Sequence, residues 1–242
     1  MIIDIHAHFH HYEFLGEGVI LSENEFITEM DYIGIDKTAV SNPFYLETDF
    51  IYGNKLLYDF MQNFPERIIG IAIAHPLFPE ASLESIKTGI DMGIRGLKLH
   101  CELAHSPYTS YAHLSLVEKL AQFKLPITLH TGTKYLDTAP ELARQFPEIT
   151  FLFGHSGGFA YREMIARIKD LDNVVADLCG NVFTNGFVED IVNVMGADRV
   201  VYGSDFDFFS PAIMLEMVRN AKILDDDKEK ILWKNAQRIL AL

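Results

Sequence analysis

The sequence has almost no cysteine, only Cys101 and Cys179 in 242 residues, and no C-x-x-C pair. That argues against a disulfide scaffold and a cysteine-cluster metal site, and reduced thiols in a cytoplasmic protein are the simpler expectation. The start, Met1-Ile2-Ile3-Asp4-Ile5-His6, lacks a basic segment followed by a long apolar run. Neither a secretory leader nor a membrane span is therefore expected. Linkers rich in Gly, Pro or Ser, low-complexity tracts and long internal repeats are also missing, so residues 1–242 are expected to form one domain. Positive charge is scarce: 20 Lys and Arg stand against 34 Asp and Glu, a formal net charge of −14. A field of that sign repels nucleic-acid phosphates and anionic lipid, which leaves a small molecule as the expected partner. It does not fix that molecule's charge, because a bound divalent cation would dominate the field inside a cleft. The sequence is equally compatible with a monomer and a homo-oligomer.

What is present is a regular alternation. Short apolar, often β-branched runs fall at 2–8, 37–41, 68–74, 96–100, 127–130, 150–155, 173–178 and 199–204. Between them lie stretches with helical spacing, such as Leu83, Ile86 and Ile90, or Leu114, Val117, Leu120 and Ala121. A helix is expected around 23–33, and 213–218 and 228–240 read as two closing helices. Met92-Gly93-Ile94 and Phe146-Pro147 sit where a helix should stop. Pro65 and Pro126 precede strands, at positions where proline does not interrupt pairing. Alternating strands and helices predict an α/β protein with a parallel sheet. Eight units predict closure into a (β/α)8 barrel, with an open doubly wound sheet as the alternative.

A barrel of this kind carries its working residues at the C-terminal ends of its strands. Strand one ends in His6-Ala7-His8, strand four in Lys98-Leu99-His100, strand five in His130, strand six in His155 and strand eight in Asp205. Residues two apart on a strand share a face, so His6 and His8 are expected to enter the mouth together and to chelate one divalent ion. The plain alternative is a pair of inert polar residues at a strand end. Asp205 follows a buried apolar run, where a carboxylate is costly unless it is paired or bound to a cation. It can serve as ligand or base, or alternatively as a helix cap. His130 or His155 alone would read as a satisfied core histidine, but their matched strand-end positions favour a site. Gly154, Gly157 and Gly158 leave room around His155.

Taken in order, Asp4-Ile5-His6-Ala7-His8, Gly96-Leu97-Lys98-Leu99-His100, His130-Thr131-Gly132, Gly154-His155-Ser156-Gly157-Gly158 and Gly203-Ser204-Asp205-Phe206 resemble the amidohydrolase superfamily. The nearest branch is the amidohydrolase-related one that includes aminocarboxymuconate-semialdehyde decarboxylase-like enzymes. The segment from Ile231 to Leu240 resembles that branch's last helix, and the likeness spans essentially the whole chain. It implies a single-domain TIM barrel with one divalent metal, most often zinc, held by His6, His8, His130 and Asp205. His155 and Asp205 would be the catalytic pair, moving a proton to and from water or substrate. Lys98 and His100 are expected to contact the substrate. In the wider superfamily a carboxylated lysine on strand four bridges two metals. Other readings of Lys98 are a buried cation paired with Asp4 or Glu102, or a contact to an acidic substrate.

The expected activity is metal-dependent hydrolysis of a small ester, amide, lactone or related bond. The alternative is non-oxidative decarboxylation of an unsaturated or aromatic acid, for which the same ligands would serve. A TatD-like nuclease is disfavoured because it expects an acidic strand-four ligand and a phosphate-tracking surface. A barrel that binds metal without turnover is disfavoured because all five strand ends keep their groups. Substrate contacts are expected from short loops (9–18, 101–110 and 206–210). Their aromatic residues Phe9, Tyr12, Phe14, Tyr108, Phe206, Phe208 and Phe209 form either an apolar pocket or a packed rim. His10 and His11 read equally as mouth or loop residues.

Overall fold

The structure is a computed structural model that describes residues 1–9, 21–132, 134–180 and 182–242. His10, His11, Tyr12 and Phe14 lie outside the described residues. The eight expected strands are present: β1 (Ile3–His8), β2 (Lys37–Ser41), β3 (Ile68–Ile73), β4 (Gly96–Leu99), β5 (Ile127–His130), β6 (Phe151–Gly154), β7 (Val174–Asp177) and β8 (Val200–Val201). They pair in parallel in sequence order. The Ile5 amide donates to the Tyr202 carbonyl and the Asp205 amide to the His6 carbonyl, bringing the last strand back against the first. This is a single-domain (β/α)8 barrel. Several strands are shorter than their apolar runs. β8 above all keeps two residues, because the chain from Tyr202 onward leaves the ladder to build the mouth.

Helices α1 (Glu23–Ile33), α2 (Phe50–Asn63), α3 (Pro79–Met92), α4 (Tyr111–Leu120), α5 (Thr138–Gln145), α6 (Tyr161–Ile168), α7 (Phe187–Met195) and α8 (Pro211–Asn220) cover the barrel. The closing segment runs through α9 (Asp225–Glu229), a π turn at Lys230–Lys234, and α10 (Asn235–Ile239). Local chemistry explains the boundaries. Ser22 and Glu25 cap α1 reciprocally, a motif that stabilises by about 1 kcal/mol. Pro79 opens α3, and Gly93 closes it at φ 96°, where a side chain would be strained. Among the described residues, no helix is long and apolar enough to cross a membrane.

Two apolar layers follow. Leu97, Leu99, Ile127, Leu129, Phe151 and Phe153 belong to the cluster shared with the helices. Ile3, Ile5, Ala39, Ile69, Ile71, Leu152, Val175 and Val201 plug the barrel floor, closed from below by Ala236 and Leu240. In β1 the register slips between Asp4 and Ala7: Asp4 faces Thr38 but Ala7 faces Val40, so Ile5 and His6 together oppose Ala39. Such a bulge re-aims side chains. Ile5 stays in the floor while His6 and His8 turn into the mouth.

Candidate metal and catalytic site

The strand ends deliver a nearly closed set of polar side chains. His6, His8, Lys98, His100, Asp177 and Asp205 are all buried, and His155 is partly so. Asp205 at φ 64° and His155 at φ 68° hold the left-handed backbone, which non-glycine residues adopt at a cost. Both lie where a strand has just ended and the chain turns across the mouth. Close approach is secured by glycine. A Cβ on Gly203 would strike the Asp177 carboxylate, and one on Gly154 would lie 2.7 Å from His6 Cε1.

The rings are oriented by what lies behind them. His6 Nδ1 donates to Asp177 Oδ2 at 2.5 Å. Burial, and then the charge of Lys98, push His6 down to about 4, so the neutral ring carries its one proton toward Asp177. That leaves the Nε2 lone pair facing Lys98 Nζ at 2.9 Å, with Asp205 Oδ1 at 3.8 Å. His8 Nδ1 lies 3.1 Å from the Ser41 carbonyl, which can only accept, and His8 Nε2 lies 3.0 Å from Asp205 Oδ1. In the tautomer that gives its Nδ1 proton to that carbonyl, His8 Nε2 and Asp205 Oδ1 face each other as two acceptors, an arrangement that a cation between them would relieve. In the other, Nε2 donates to Asp205 and Nδ1 takes the Ser41 hydroxyl at 3.4 Å. The donor set of imidazole nitrogen and carboxylate oxygen therefore fits a divalent ion, and an acceptor behind each imidazole is the usual support for a metal-ligating histidine.

Burial raises the Asp205 pKa, but His155, His8 and His6 together outweigh it and the net direction is down. Asp177 also goes down, as His6 overcomes the upward push of burial. Lys98 is lowered by burial.

The expected residues fall into two groups. His6, His8 and Asp205 meet directly. His130 stands one ring further out: its Nδ1 is 3.1 Å from His155 Nε2, and its ring stacks on His100 with centroids 3.9 Å apart. His155 Nδ1 approaches Asp205 Oδ2 at 3.9 Å. Lys98 does not pair with Asp4 or Glu102. It lies 1% exposed, against His6, with the Asp205 and Asp177 carboxylates and the Cys179 thiol nearby. Glu102 instead accepts from the Lys134 amide and lies 3.7 Å from His130 Nε2. Asp4 accepts from the Ser204 amide and hydroxyl.

Sequence reasoning missed two residues. Asp177 orients His6, and Cys179 Sγ lies 3.0 Å from His6 Nδ1 and accepts from the His155 amide. The donor atoms of His6, His155, Cys179 and Asp205 all fall within 4.8 Å of one another. The signal for Asp177 was available: a carboxylate ending the apolar run Val174-Val175-Ala176 is as costly to bury as Asp205. Cys179 gave none.

The rim aromatics divide. Tyr108 is no pocket wall. It is fully buried, and its hydroxyl lies 3.1 Å from the Leu99 carbonyl and 3.0 Å from that of His130, tying β4 to β5. Phe206 packs on Phe26, their centroids 4.8 Å apart. Phe209 lines the open cavity above the site, about 210 Å³, together with Glu102, His130, Gly132, His155, Gly158, Phe159 and Asp205.

Comparison with known proteins gives a family model described as amidohydrolase, matching residues 3–242. No curated protein matches at the level of sequence. Among solved structures, 2,6-dihydroxybenzoate decarboxylase from Rhizobium is similar at TM-score 0.82 and 17% identity, covering 99% of this chain and 98% of that one. 4-Oxalomesaconate hydratase from Rhodopseudomonas palustris gives 0.76 and 19%, covering 100% and 96%. A dihydroxybenzoic acid decarboxylase from Polaromonas sp. JS666, with bound manganese and 2-nitroresorcinol, gives 0.80 and 17%, covering 100% and 97%.

Proposed function

The chain belongs to the amidohydrolase family, and on that premise we propose that it is a hydrolase that uses one divalent ion, zinc by preference, to open an ester, amide or lactone bond of a small molecule. The observation that carries this is the apposition of His8 Nε2 and Asp205 Oδ1 at 3.0 Å, with the Nδ1 atoms of His6 and His8 already turned to acceptors. His6, His8 and Asp205 would hold the ion, with His130 as fourth ligand. When bound, the ion supplies Lewis acidity and lowers the pKa of water it holds.

The chain's own groups do the rest. Asp177 fixes the His6 tautomer. Asp205 takes a proton from the attacking water, and His155, within reach of Asp205 and open to the cavity, passes one to the leaving group. His100 stacks under His130 and limits how deep a substrate enters. Lys98 contributes positive charge beneath the reacting carbonyl. The cavity, about 210 Å³ among the described residues, favours a small substrate. We place the protein in the cytoplasm, with both buried cysteines as thiols.

Decarboxylation is the second reading, favoured by the similarity to the Rhizobium and Polaromonas decarboxylases. Purified protein and a His6→Ala/His8→Ala variant, each supplied with zinc or manganese and dialysed, distinguish the possibilities. About one equivalent in the wild type and none in the variant is expected, with turnover in a panel of esters, amides and lactones but not of aromatic acids. No metal in either protein sinks the proposal. Carbon dioxide release alone selects the second reading.

A further inference from the structure

In sequence, the residues that follow each strand and precede the next helix are 9–22, 42–49, 74–78, 100–110, 131–137, 155–160, 178–186 and 202–210, of which 10–20, 133 and 181 lie outside the described residues. The chain has 20 Lys and Arg, yet these loops contain a single one, Lys134. Acidic residues are frequent in the same loops, with at least one in five of the eight. Lys134 is exposed, with Nζ 4.9 Å from the Tyr135 ring. The nearest arginine in sequence, Arg162 in the first turn of α6, is held by Asp190 at 2.7 Å. Lys98 sits beneath the ligand set at 1% exposure and is no part of the cavity lining.

Among the described residues, the wall of the cavity over the site therefore carries no Lys or Arg side chain. Its lining offers two carboxylates. Asp205 is engaged by His8, whereas Glu102 lies at the outer edge, with its side chain 29% exposed. One Glu102 oxygen, Oε1, takes the Lys134 amide. A substrate anion outside the metal position would be desolvated beside the Glu102 carboxylate, which among the described residues faces the Lys134 amide and the His130 ring but no Lys or Arg side chain, an arrangement that costs binding energy. An ammonium, or a nitrogen that donates hydrogen bonds, gains a partner at the same place.

We infer that the substrate carries a cationic or N–H-donating nitrogen that docks on Glu102, a few bonds from the group placed over His6, His8 and Asp205, and that Glu102 is the specificity-determining residue of the mouth. This rests on the metal-site reading above and adds the chemical class of the substrate. It also separates this chain from the solved structures whose names carry acidic aromatic compounds.

The test uses three hydroxamates of equal length, whose common head binds a metal and whose tails differ in charge: β-alanine hydroxamate, butyrohydroxamate and succinate monohydroxamate. Their affinities for zinc-loaded full-length protein are measured by calorimetry. The expected order is cation, neutral, anion, with about tenfold or more between the ends, as a single half-exposed ion pair would give. In Glu102→Gln, which keeps the shape and the acceptor for the Lys134 amide, that spread should collapse. The wild-type ranking stands without the variant, so misfolding of Glu102→Gln would not remove the test. Equal binding of all three, tighter binding of the anion, or an undiminished spread in Glu102→Gln overturns the inference and leaves the metal site intact. No binding by any of the three overturns the metal-site reading together with the inference.

Discussion

The floor and the mouth of this barrel are built from the same strands and follow opposite rules. On β7, Val175 packs into the floor with Leu152 and Val201, while Asp177, two residues on and on the same face, orients His6. On β1, Ile3 and Ile5 fill the floor, and His6 and His8 fill the mouth. Below, burial is satisfied by dispersion and loss of apolar surface from water, with no polar group to pair. Above, every buried side chain needs a partner, and His8 Nε2 and Asp205 Oδ1 converge where a cation would fit. The difference shows that a strand can hold its stability and its chemistry within about 7 Å of one another, because two residues of strand advance only that far.

The sharpest way to break this contrast is to damage the floor alone. Leu152→Ala, at a position 1% exposed, should cost 2–5 kcal/mol in denaturant unfolding. The folded fraction should still bind metal in unchanged proportion. A loss of metal per folded molecule would show that floor and mouth are not separable.

A support of the mouth gives the next effect. His113 on α4 is completely buried, and its Nδ1 donates to the Pro107 carbonyl beside Tyr108. Burial pushes it down to about 4, whereas an unfolded histidine titrates near 6.5. The unfolded chain takes up a proton as pH falls from about 6.5 and the folded chain does not until about 4. Stability should therefore decline across that window, by roughly 3 kcal/mol, and level off below it. Unfolding midpoints measured at several pH values for wild type and His113→Phe should differ in this slope. Parallel curves would rule it out.

The smallest effect concerns the mouth alone. Asp177→Asn should weaken metal affinity by about 10- to 100-fold, as replacing the partner of a metal-bound histidine usually does. Competition with a chelator reads the affinity directly. A variant that binds metal as well as wild type would remove Asp177 from the site.

Much of this was legible before the fold. The alternation of strand and helix announced the barrel. His6, His8, His130, His155 and Asp205 were visible because a parallel barrel brings all strand ends to one rim. Glu102 and Tyr108 were less legible, since a loop residue's surroundings depend on which neighbouring loop it meets. Tyr108 reads as a rim aromatic but is the buried tie between the Leu99 and His130 carbonyls.

The sequence by itself determined the strand count, the parallel order, the helix stop at Gly93, and the shortage of Lys and Arg in the segments between strands and helices. These depend on local periodicity, local backbone preference and composition. Tertiary structure decided which face of β1 points inward. Strict alternation would have set Ile5 and His6 on opposite faces, and the bulge against Ala39 lets both enter the barrel. It also brought Asp177 and Cys179 to His6 across more than 170 residues of chain, and laid Lys98 against His6 rather than a carboxylate. Those pairings are set by barrel closure and register, which depend on all eight strands together.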